Sequence, residues 1–213
     1  MKNKKVCCIF GAGEYYGNPP ELSDAQFVIA ADGGYEYLRH HELRADLIIG
    51  DFDSLAEVPQ HDNVRMLPTE KDDTDMFAAI RAGIDEGCGV FHIYGGTGGR
   101  LDHTLANIQC IAGLAGEGMR GFLHDRDTVI TAIKDSAICF PAECRVTISV
   151  FAHSDTAEGV CECGLKYPLT GAVLRNNYPL GISNEFIGAP ACIEVRSGTL
   201  IIIYPQNVQE DEK

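Results

Sequence analysis

Short apolar runs that end in glycine or aspartate recur through the first half of the chain. Five of them have the length and composition of β-strands, at residues 6–10, 27–31, 47–49, 64–67 and 90–94. Between and after these runs, residues 72–86 and 101–115 carry apolar side chains at spacings near the helical period of about 3.6 residues. Alternation of strands and helices with short loops predicts a mostly parallel sheet covered by helices.

The pattern changes near residue 124, after which the sequence predicts strands and no helix. The predicted strands lie at 128–133, 145–152, 172–174, 192–196 and 200–204. Clusters of Asp, Gly, Pro and Asn separate these runs, and Ser197-Gly198 has the composition of a hairpin turn between the last two. We therefore predict an α/β domain with a mostly parallel sheet over residues 1–123 and an all-β sandwich or barrel domain over residues 124–213.

Composition and charge narrow the class of protein. The chain has 213 residues, of which 45% are hydrophobic and 23% are charged, and this is typical of a globular protein. Its formal net charge of -14 at pH 7 disfavours binding to nucleic acid or to an anionic membrane surface. No apolar run approaches the roughly 20 residues of a membrane span. If such an acidic protein binds a phosphate compound, we expect a cation to mediate the contact.

Nine cysteines are spread over the sequence, and no two of them form a Cys-x-x-Cys pair, so a structural zinc site is not expected. Most of them lie in apolar, strand-like runs, and we expect buried free thiols. Free thiols fit a reducing compartment, and the apolar run near the start of the sequence is too short for a signal peptide. The sequence therefore predicts a cytoplasmic protein.

Candidate chemistry gathers where the predicted strands end, because ligands of open parallel sheets bind outside the carboxyl ends of the strands. Asp51 and Asp53 follow one strand in the stretch GDFDS, and two carboxylates one residue apart can share a divalent metal ion such as magnesium. Asp32 and Gly33 follow the strand before it, where glycine lets the backbone approach a ligand. Solvated turns are the alternative interpretation of both stretches.

The stretch KDDTD (71–75) opens a predicted helix. One acid there is explained by helix capping, but three are more than capping requires. Asp72 and Asp75 are three residues apart, so on a helix they share a face, and a metal ion would relieve their repulsion. Lys71 is instead a candidate contact to a phosphate group.

The stretch GGTGGRLDH (95–103) is entered by a predicted strand and left by a predicted helix. Its four glycines expose backbone amides near a helix N-terminus, which is how a loop cradles phosphate. The common pattern G-x-x-x-x-G-K-[ST] is absent, and Arg100 takes the cationic role because it can bind phosphate oxygens bidentately. Together, the acidic and glycine-rich stretches predict magnesium held by the acids and a polyphosphate bound by the metal and Arg100.

These stretches, in this order, resemble the thiamine pyrophosphokinase family over nearly the whole chain. The matching segments are ADGG (31–34), GDFDS (50–54), KDDTD (71–75), GGTGGRLDH (95–103), GLKYPL (164–169) and SNEF (183–186). The resemblance implies an N-terminal α/β domain that binds ATP and magnesium and a C-terminal β domain that helps to bind thiamine. It also implies a homodimer in which both subunits contribute to the active site. The implied reaction moves the terminal diphosphate of ATP to the thiamine hydroxyl and releases AMP.

The resemblance also assigns roles to residues. It implies that the metal ligands are Asp51, Asp53 and Asp75. The implied catalytic and nucleotide-binding positions further include Asp32, Gly33, Lys71, Asp72, Thr74, Gly96, Gly98, Gly99, Arg100 and Asp102. In the β half, the matching contacts to thiamine or nucleotide are Tyr167, Ser183 and Asn184. Some family members have Trp at position 167, and Tyr167 keeps an aromatic face for a cationic ring. Asp72 and Asp102 are both candidates for the base that accepts the proton of the thiamine hydroxyl.

Two alternatives belong to other classes of protein. Asp51-x-Asp53-Ser54 is similar to the nucleophile motif of magnesium phosphatases of the haloacid-dehalogenase type, in which the first Asp is phosphorylated. That motif normally ends the first strand, whereas here it ends the third, and it leaves GGTGGRLDH and the β domain unexplained. A module that senses nucleotide or thiamine without turnover is the second alternative, but such a sensor does not need so many metal ligands.

Overall fold

The computed structural model of the chain describes residues 4–52, 61–68, 72–142, 146–208 and 210. The chain divides into two compact units. The first consists of Met1–Cys110 and Gly121–Arg126, and the second of Ile111–Arg120 and Asp127–Lys213. No helix in the described ranges is long and apolar enough to cross a membrane.

The first unit is built on a parallel sheet with helices. Its strands are β1 (Lys5–Phe10), β2 (Phe27–Ala31), β3 (Leu47–Gly50), β4 (Val64–Met66), β5 (Cys88–Tyr94) and β6 (Arg120–His124). The helices are α1 (Gly34–His40), α2 (Asp75–Asp85) and α3 (Leu101–Gly116), of which α3 begins in this unit. β1 pairs in parallel with β2 and β5, and β3 pairs in parallel with β2 and β4. The predicted parallel sheet is therefore confirmed.

The strands β1, β2 and β3 are buried apart from the first residues of β1 and β2, whereas buried and half-buried residues alternate in the second part of β5. Ile9, Ile29, Ile48 and Phe91 are all 0% exposed. Continuous apolar runs of this kind are expected for parallel strands, because helices cover both faces of such a sheet. The sheet order β5-β1-β2-β3-β4 brings the carboxyl ends of the strands to one edge, where the loops that follow them lie.

Helix α2 starts three residues later than the sequence predicts. Thr74 has an extended backbone conformation and is the N-cap, and its Oγ1 accepts a hydrogen bond from Phe77 N at 3.1 Å. Asp72 therefore lies before the helix, and the prediction that Asp72 and Asp75 share a helical face is wrong. Sequence analysis also missed α1, because its seven residues are too short to display a helical period.

The described residues of the second unit form eight antiparallel strands in two layers. They are β7 (Thr128–Lys134), β8 (Ala137–Phe140), β9 (Thr147–Ala152), β10 (Thr156–Cys163), β11 (Leu169–Arg175), β12 (Gly181–Glu185), β13 (Ala191–Glu194) and β14 (Thr199–Pro205). One layer has the order β12-β9-β14-β7 and the other has the order β11-β10-β13-β8.

The two layers pack face to face as a sandwich. Phe140 of β8 is 0% exposed, and its ring meets Phe186 and Tyr204 edge-on with centroids 5.3 and 5.1 Å apart. Tyr204 belongs to β14 of the other layer, so these rings join the two sheets. The predicted all-β half is confirmed. The predicted hairpin at Ser197-Gly198 is wrong, because this turn joins β13 to β14 and these strands lie in different layers.

The cysteines depart from the expectation of free thiols at one place. Cys139 of β8 and Cys192 of β13 form a disulfide. The other described cysteines are free thiols, namely Cys7, Cys8, Cys88, Cys110, Cys161 and Cys163, and only the first three of them are buried. Single-sequence analysis missed the pair because the two residues are 53 positions apart and become neighbours only when β8 pairs with β13.

Candidate active site

Two turns meet at the carboxyl edge of the parallel sheet, one after β1 and one after β5. Gly13 N donates to Gly95 O at 2.7 Å, and Glu14 N donates to Thr97 O at 2.9 Å. A Cβ atom at Gly13 would lie 2.4 Å from Thr97 O, so only glycine permits this approach of the two main chains. The turn after β1 thus supports the turn after β5.

The turn at residues 95–99, called the glycine turn here, is also held by buried side chains. Thr97 Oγ1 donates to Asp125 Oδ1 at 2.8 Å, and Asn107 Nδ2 donates to Gly96 O at 2.7 Å. Thr97 and Asn107 are 4% and 6% exposed. The Asn107 bond fixes a main-chain carbonyl of the turn, and the Thr97 bond fixes a side chain that the turn carries, so both keep the turn in one conformation.

The amides of the glycine turn differ from its carbonyl oxygens in their hydrogen bonding. Within the described ranges, none of the four amides from Gly96 to Gly99 donates a hydrogen bond. Gly99 has φ +61°, and a Cβ atom there would meet open space, so the backbone conformation rather than crowding calls for glycine. Successive amides that have no partner, next to the N-terminus of α3, form the kind of site that binds anions.

A cleft of about 420 Å³ lies against this turn. Its lining residues are Gly11, Ala12, Gly13, Glu14, Ala31, Asp32, Asp75, Met76, Gly95, Gly96, Thr97, Gly98, Gly99, Arg100, His103 and Asn107. The cleft therefore brings together Asp32, Asp75, Arg100 and three predicted glycines. Asp51, Asp72, Asp102, Gly33 and Thr74 are not among its lining residues.

Two acids leave neighbouring strands at the edge of the cleft. Asp32 follows β2 with φ +48°, a left-handed conformation that Asp adopts more readily than most residues. Its N–H donates to Ile49 O of β3 at 2.8 Å, which joins the ends of the two strands. Asp51 follows β3 and is half-buried. A third acid, Asp75, is the first residue of α2 and lines the cleft.

These carboxylates are the ligand type that magnesium prefers, so the donor chemistry of the cleft fits a hard divalent cation. Among the described residues, however, no group of three or more His, Cys, Asp or Glu side chains is close enough to hold a metal ion. Two predicted site residues, Asp53 and Lys71, lie outside the described residues. The described acids therefore do not form a complete set of metal ligands by themselves.

Arg100 and Asp102 form a bidentate ion pair at the start of α3. Arg100 Nε donates to Asp102 Oδ1 at 3.2 Å, and Arg100 Nη2 donates to Asp102 Oδ2 at 2.6 Å. His103 N donates to the same carboxylate at 3.0 Å. The Arg100 guanidinium, together with the amide of His103, lowers the pKa of Asp102 to about 2. The carboxylate is thus charged at neutral pH and holds Arg100 beside the glycine turn.

In the second unit, Asn184 fixes the segment that carries Tyr167. Asn184 is 4% exposed. Its Oδ1 accepts from Tyr167 N at 3.0 Å, and its Nδ2 donates to Tyr167 O at 2.8 Å. The same Nδ2 donates to Glu162 Oε2 at 2.8 Å, and burial raises the pKa of Glu162. Asn184 thus acts on the main chain of Tyr167 from inside the sandwich.

The Tyr167 ring itself is 59% exposed. The ammonium group of Lys166 lies 5.4 Å from the ring centroid, and Lys166 also pairs with Glu185 at 2.7 Å. Ser183 is exposed and has φ +56°, and its N–H donates to Ser149 Oγ at 3.0 Å. The Tyr167 ring and the Ser183 residue are therefore both exposed, and the Tyr167 ring lies beside the Lys166–Glu185 ion pair.

Sequence analysis missed several residues that build these sites. The turn after β1 was visible as Gly11-Ala12-Gly13, and its position at the end of a predicted strand could have identified it. Thr97 and Asn107 lie within or just after the glycine-rich stretch, but only the structure pairs them with Asp125 and Gly96. Glu162 had no sequence signal, because a single Glu in a strand is usually exposed.

Comparison with known proteins agrees with both units. The model of the thiamin pyrophosphokinase catalytic domain matches residues 19–123, and the model of the thiamin pyrophosphokinase vitamin B1 binding domain matches residues 136–200. A thiamine pyrophosphokinase from Bacillus subtilis (strain 168) is 29% identical over 161 residues, which cover 72% of this chain and 75% of that protein.

Solved structures agree with the fold over almost the full length. The crystal structure of thiamine pyrophosphokinase from Bacillus subtilis has a TM-score of 0.82 at 27% identity and covers 95% of this chain and 100% of that chain. Thiamin pyrophosphokinase from Geobacillus thermodenitrificans has a TM-score of 0.78 at 26% identity, and the match covers 95% of this chain and 98% of that chain. The yeast enzyme, at 16% identity and a TM-score of 0.75 over 96% and 87%, supports the fold alone.

The fold and the cleft define a class of α/β protein that has a glycine turn at the carboxyl edge of its parallel sheet, acidic residues beside that turn, and an antiparallel β-sandwich in the second half. Two family models, which together span most of the sequence, identify that class more closely. The chain belongs to the thiamin pyrophosphokinase family.

Proposed function

We propose that this protein is an enzyme that transfers the diphosphate group of ATP to the hydroxyl of thiamine, giving thiamine diphosphate and AMP. The observation that carries this proposal is the match to both halves of one family, a catalytic domain and a vitamin B1 binding domain. The cleft supports it, because the amides of its glycine turn donate no hydrogen bond to the described residues and suit a polyphosphate. The proposed division of labour is an ATP-binding domain over 1–123 and a thiamine-binding domain over 124–213.

Positioning and neutralisation of charge do most of the work in phosphoryl transfer, and little covalent chemistry falls to the protein. In the proposed complex, the amides of the glycine turn hold phosphate oxygens. Asp102 keeps the guanidinium of Arg100 beside that turn, where it can share a phosphate oxygen. An acidic chain can bind ATP in this way because the local donors outweigh the distant negative charge.

Magnesium is the proposed cofactor, with Asp51, Asp53 and Asp75 as its ligands. Two observations on described residues support this assignment. Asp51 leaves the sheet beside Asp32, and Asp75 lines the cleft with the glycine turn. When bound, the cation would offset the negative charge of the phosphates and of the AMP leaving group.

Asp72 is the better candidate of the two possible bases. The base must accept a proton from the thiamine hydroxyl, and a carboxylate with a strongly lowered pKa is a weak base. The pKa of Asp102 is lowered to about 2 by Arg100, so Asp102 suits the role of a positioning residue. Asp72 is exposed just before α2, outside the helical N-cap, and no bidentate pair holds it within the part of the chain that the structure describes.

Thiamine carries a positive charge, and the exposed ring of Tyr167 offers a face to such a cation. Asn184 is proposed to act on thiamine through the backbone of Tyr167, and Ser183 to contact a substrate directly, since its side chain is exposed.

A homodimer in which both subunits complete the active site is also proposed. Large apolar side chains are exposed on both units, which is typical of surfaces that a partner covers. They include Leu101 and Leu105 of α3 and, in the sandwich, Tyr178, Leu180 and Ile182. The proposed location is the cytoplasm, where ATP and magnesium are abundant.

The decisive assay mixes purified protein with ATP, magnesium and thiamine and follows AMP and thiamine diphosphate together. We expect equal amounts of both products, each dependent on thiamine, and loss of both in Asp51→Asn and Asp75→Asn. Release of inorganic phosphate without thiamine would favour a phosphatase instead. Thiamine binding without any product would favour a sensor.

A further inference from the structure

The outer face of the β11-β10-β13-β8 sheet carries three cysteines side by side. In β13, Cys192 is the register partner of Cys139 in β8 on one side and of Cys163 in β10 on the other. Direct register partners place their side chains on the same face of a sheet. We call these three residues the cysteine row.

Burial of the neighbouring residues identifies the face. Glu162, Ile193 and Ile138 form the adjacent row across the same three strands, and they are 1%, 0% and 7% exposed. Because side chains alternate along a strand, the cysteine row lies on the opposite, outward face. Cys163 is exposed, and both disulfide-bonded cysteines are half-buried.

The row contains one disulfide and one thiol. Cys139 and Cys192 are bonded, with their Cα atoms 4.1 Å apart, whereas Cys163 is free. Register partners on antiparallel strands have Cα atoms about 4.5 to 5.5 Å apart, and disulfides span about 4.4 to 6.8 Å. A bond between Cys163 and Cys192 therefore needs no rearrangement of the strands. Cys192 can bond to either neighbour, but to one at a time.

We propose that the cysteine row is a thiol–disulfide exchange site in which Cys163 is the attacking thiol. The Cys163 thiol loses its proton to solvent, and the thiolate attacks Cys192 Sγ. The Cys163–Cys192 bond forms, the Cys139–Cys192 bond breaks, and Cys139 leaves as a thiolate that takes up a proton. One disulfide is present before and after the step, so no oxidant or reductant is consumed.

The arrangement across the strands favours this step. The attacking sulfur, the central sulfur and the leaving sulfur come from three successive strands of one sheet, and so they follow one line. Exchange through a mixed disulfide proceeds by in-line displacement of the leaving sulfur. The exchange moves the reactive thiol from the exposed Cys163 of β10 to the half-buried Cys139 of the edge strand β8.

The unaltered protein provides the first test. Protein equilibrated for hours at pH 8 is quenched with acid and N-ethylmaleimide, digested, and analysed by mass spectrometry for linked peptides. We expect both the Cys139–Cys192 and the Cys163–Cys192 links, with maleimide on Cys163 in the first form and on Cys139 in the second. A single Cys139–Cys192 link, with all maleimide of the row on Cys163, would overturn the proposal.

Variants separate exchange from simple proximity. The Cys139→Ser variant, treated with glutathione disulfide, should form the Cys163–Cys192 link. The fraction of the variant that carries this link should be at least tenfold higher than the fraction of the unaltered protein that carries it. Cys163→Ser should retain only the Cys139–Cys192 link. Cys161→Ser is the matched control, since Cys161 lies on the same strand and face but opposite Glu194, and it should leave the pattern unchanged. A Cys139→Ser protein that keeps its circular dichroism spectrum and forms no link would contradict the proposal.

Discussion

The cleft of the α/β unit and the Tyr167 segment of the sandwich are built by opposite means. In the cleft, main-chain atoms of two glycine-containing turns bond directly to each other, and side chains hold the turn from outside. At Tyr167, one buried amide side chain holds the main chain from inside the sandwich. Where two main chains are in direct contact, no side-chain atom can be added between them. Where a side chain holds the main chain, any residue that makes the same hydrogen bonds can replace it.

The most damaging change should therefore be the addition of one methyl group to the backbone contact. Gly13→Ala places Cβ 2.4 Å from Thr97 O and 2.7 Å from Gly95 O, so the two turns must separate. We expect the free energy of unfolding to fall by about 1–3 kcal/mol, as for overpacked sites, and kcat/KM to fall by about 100-fold because the amides of the glycine turn move. Urea unfolding and the coupled AMP assay measure the two effects.

Gly113→Ala is the matched control for that variant. Gly113 is exposed in α3, and a Cβ atom there meets nothing within 4 Å. Alanine in an open helical position is expected to stabilise the protein by about 0.5–1 kcal/mol and to leave activity unchanged. If Gly13→Ala behaves like Gly113→Ala, the close contact of the two turns is not what positions the site.

The side-chain arrangement at Tyr167 predicts a smaller and more selective loss of activity. Asn184→Ala removes four hydrogen bonds of a buried amide, with Tyr167 N, Tyr167 O, Glu162 Oε2 and Glu185 N. We expect a loss of about 3 kcal/mol in the free energy of unfolding, because buried partners are left unsatisfied. The KM for thiamine should rise about tenfold while the KM for ATP stays within about twofold.

Asn176→Ala tests whether that loss is specific. Asn176 is exposed. Within the described residues, its side chain makes one hydrogen bond, from Nδ2 to Asp155 Oδ1 at 3.0 Å. Its truncation should change neither KM by more than about twofold. Equal effects of Asn176→Ala and Asn184→Ala on thiamine would show that the buried amide does not position Tyr167.

These two regions also explain what the sequence alone could predict. The strands of the α/β unit and the glycine turn were predictable because apolar runs and glycines mark them locally, one residue after another. Strand β8 was missed because its four residues are too few to display a period. Strands β10 and β12 were missed because exposed or polar residues interrupt their alternation, as at Ile182 and Ser183 of β12, which are both exposed. The partners of Asn184 lie 17 and 22 residues away, so no local pattern reveals them.

A third prediction separates positioning from proton transfer at the glycine turn. Asp102→Asn keeps an acceptor for His103 N but weakens the hold on Arg100. Because the pKa of Asp102 is lowered to about 2, this carboxylate does not titrate between pH 5 and pH 9. We expect kcat to fall about fivefold with the shape of its pH profile unchanged. Loss of the acidic limb of that profile in Asp102→Asn, and not in Asp72→Asn, would instead identify Asp102 as the base.

The smallest expected effect concerns Glu162, the buried acid beside Asn184. Burial raises its pKa above the usual value of about 4.5, while the bond from Asn184 partly opposes the rise. The folded form then holds its proton to a higher pH than the unfolded chain does. The stabilising contribution is complete below about pH 4.5, and it is lost as the pH rises through the raised pKa.

Glu162→Gln removes this titration and keeps an oxygen that can accept from Asn184 Nδ2. The free energy of unfolding of the unaltered protein should therefore decline relative to the variant as pH rises above about 4.5. Glu158→Gln changes an exposed position on the same strand. The free energy of unfolding of this control should change with pH by the same amount as that of the unaltered protein. Urea unfolding at several pH values measures the slopes. Parallel slopes for Glu162→Gln would mean that the acid is charged in the folded protein, and the network beneath Tyr167 would then depend on charge as well as on shape.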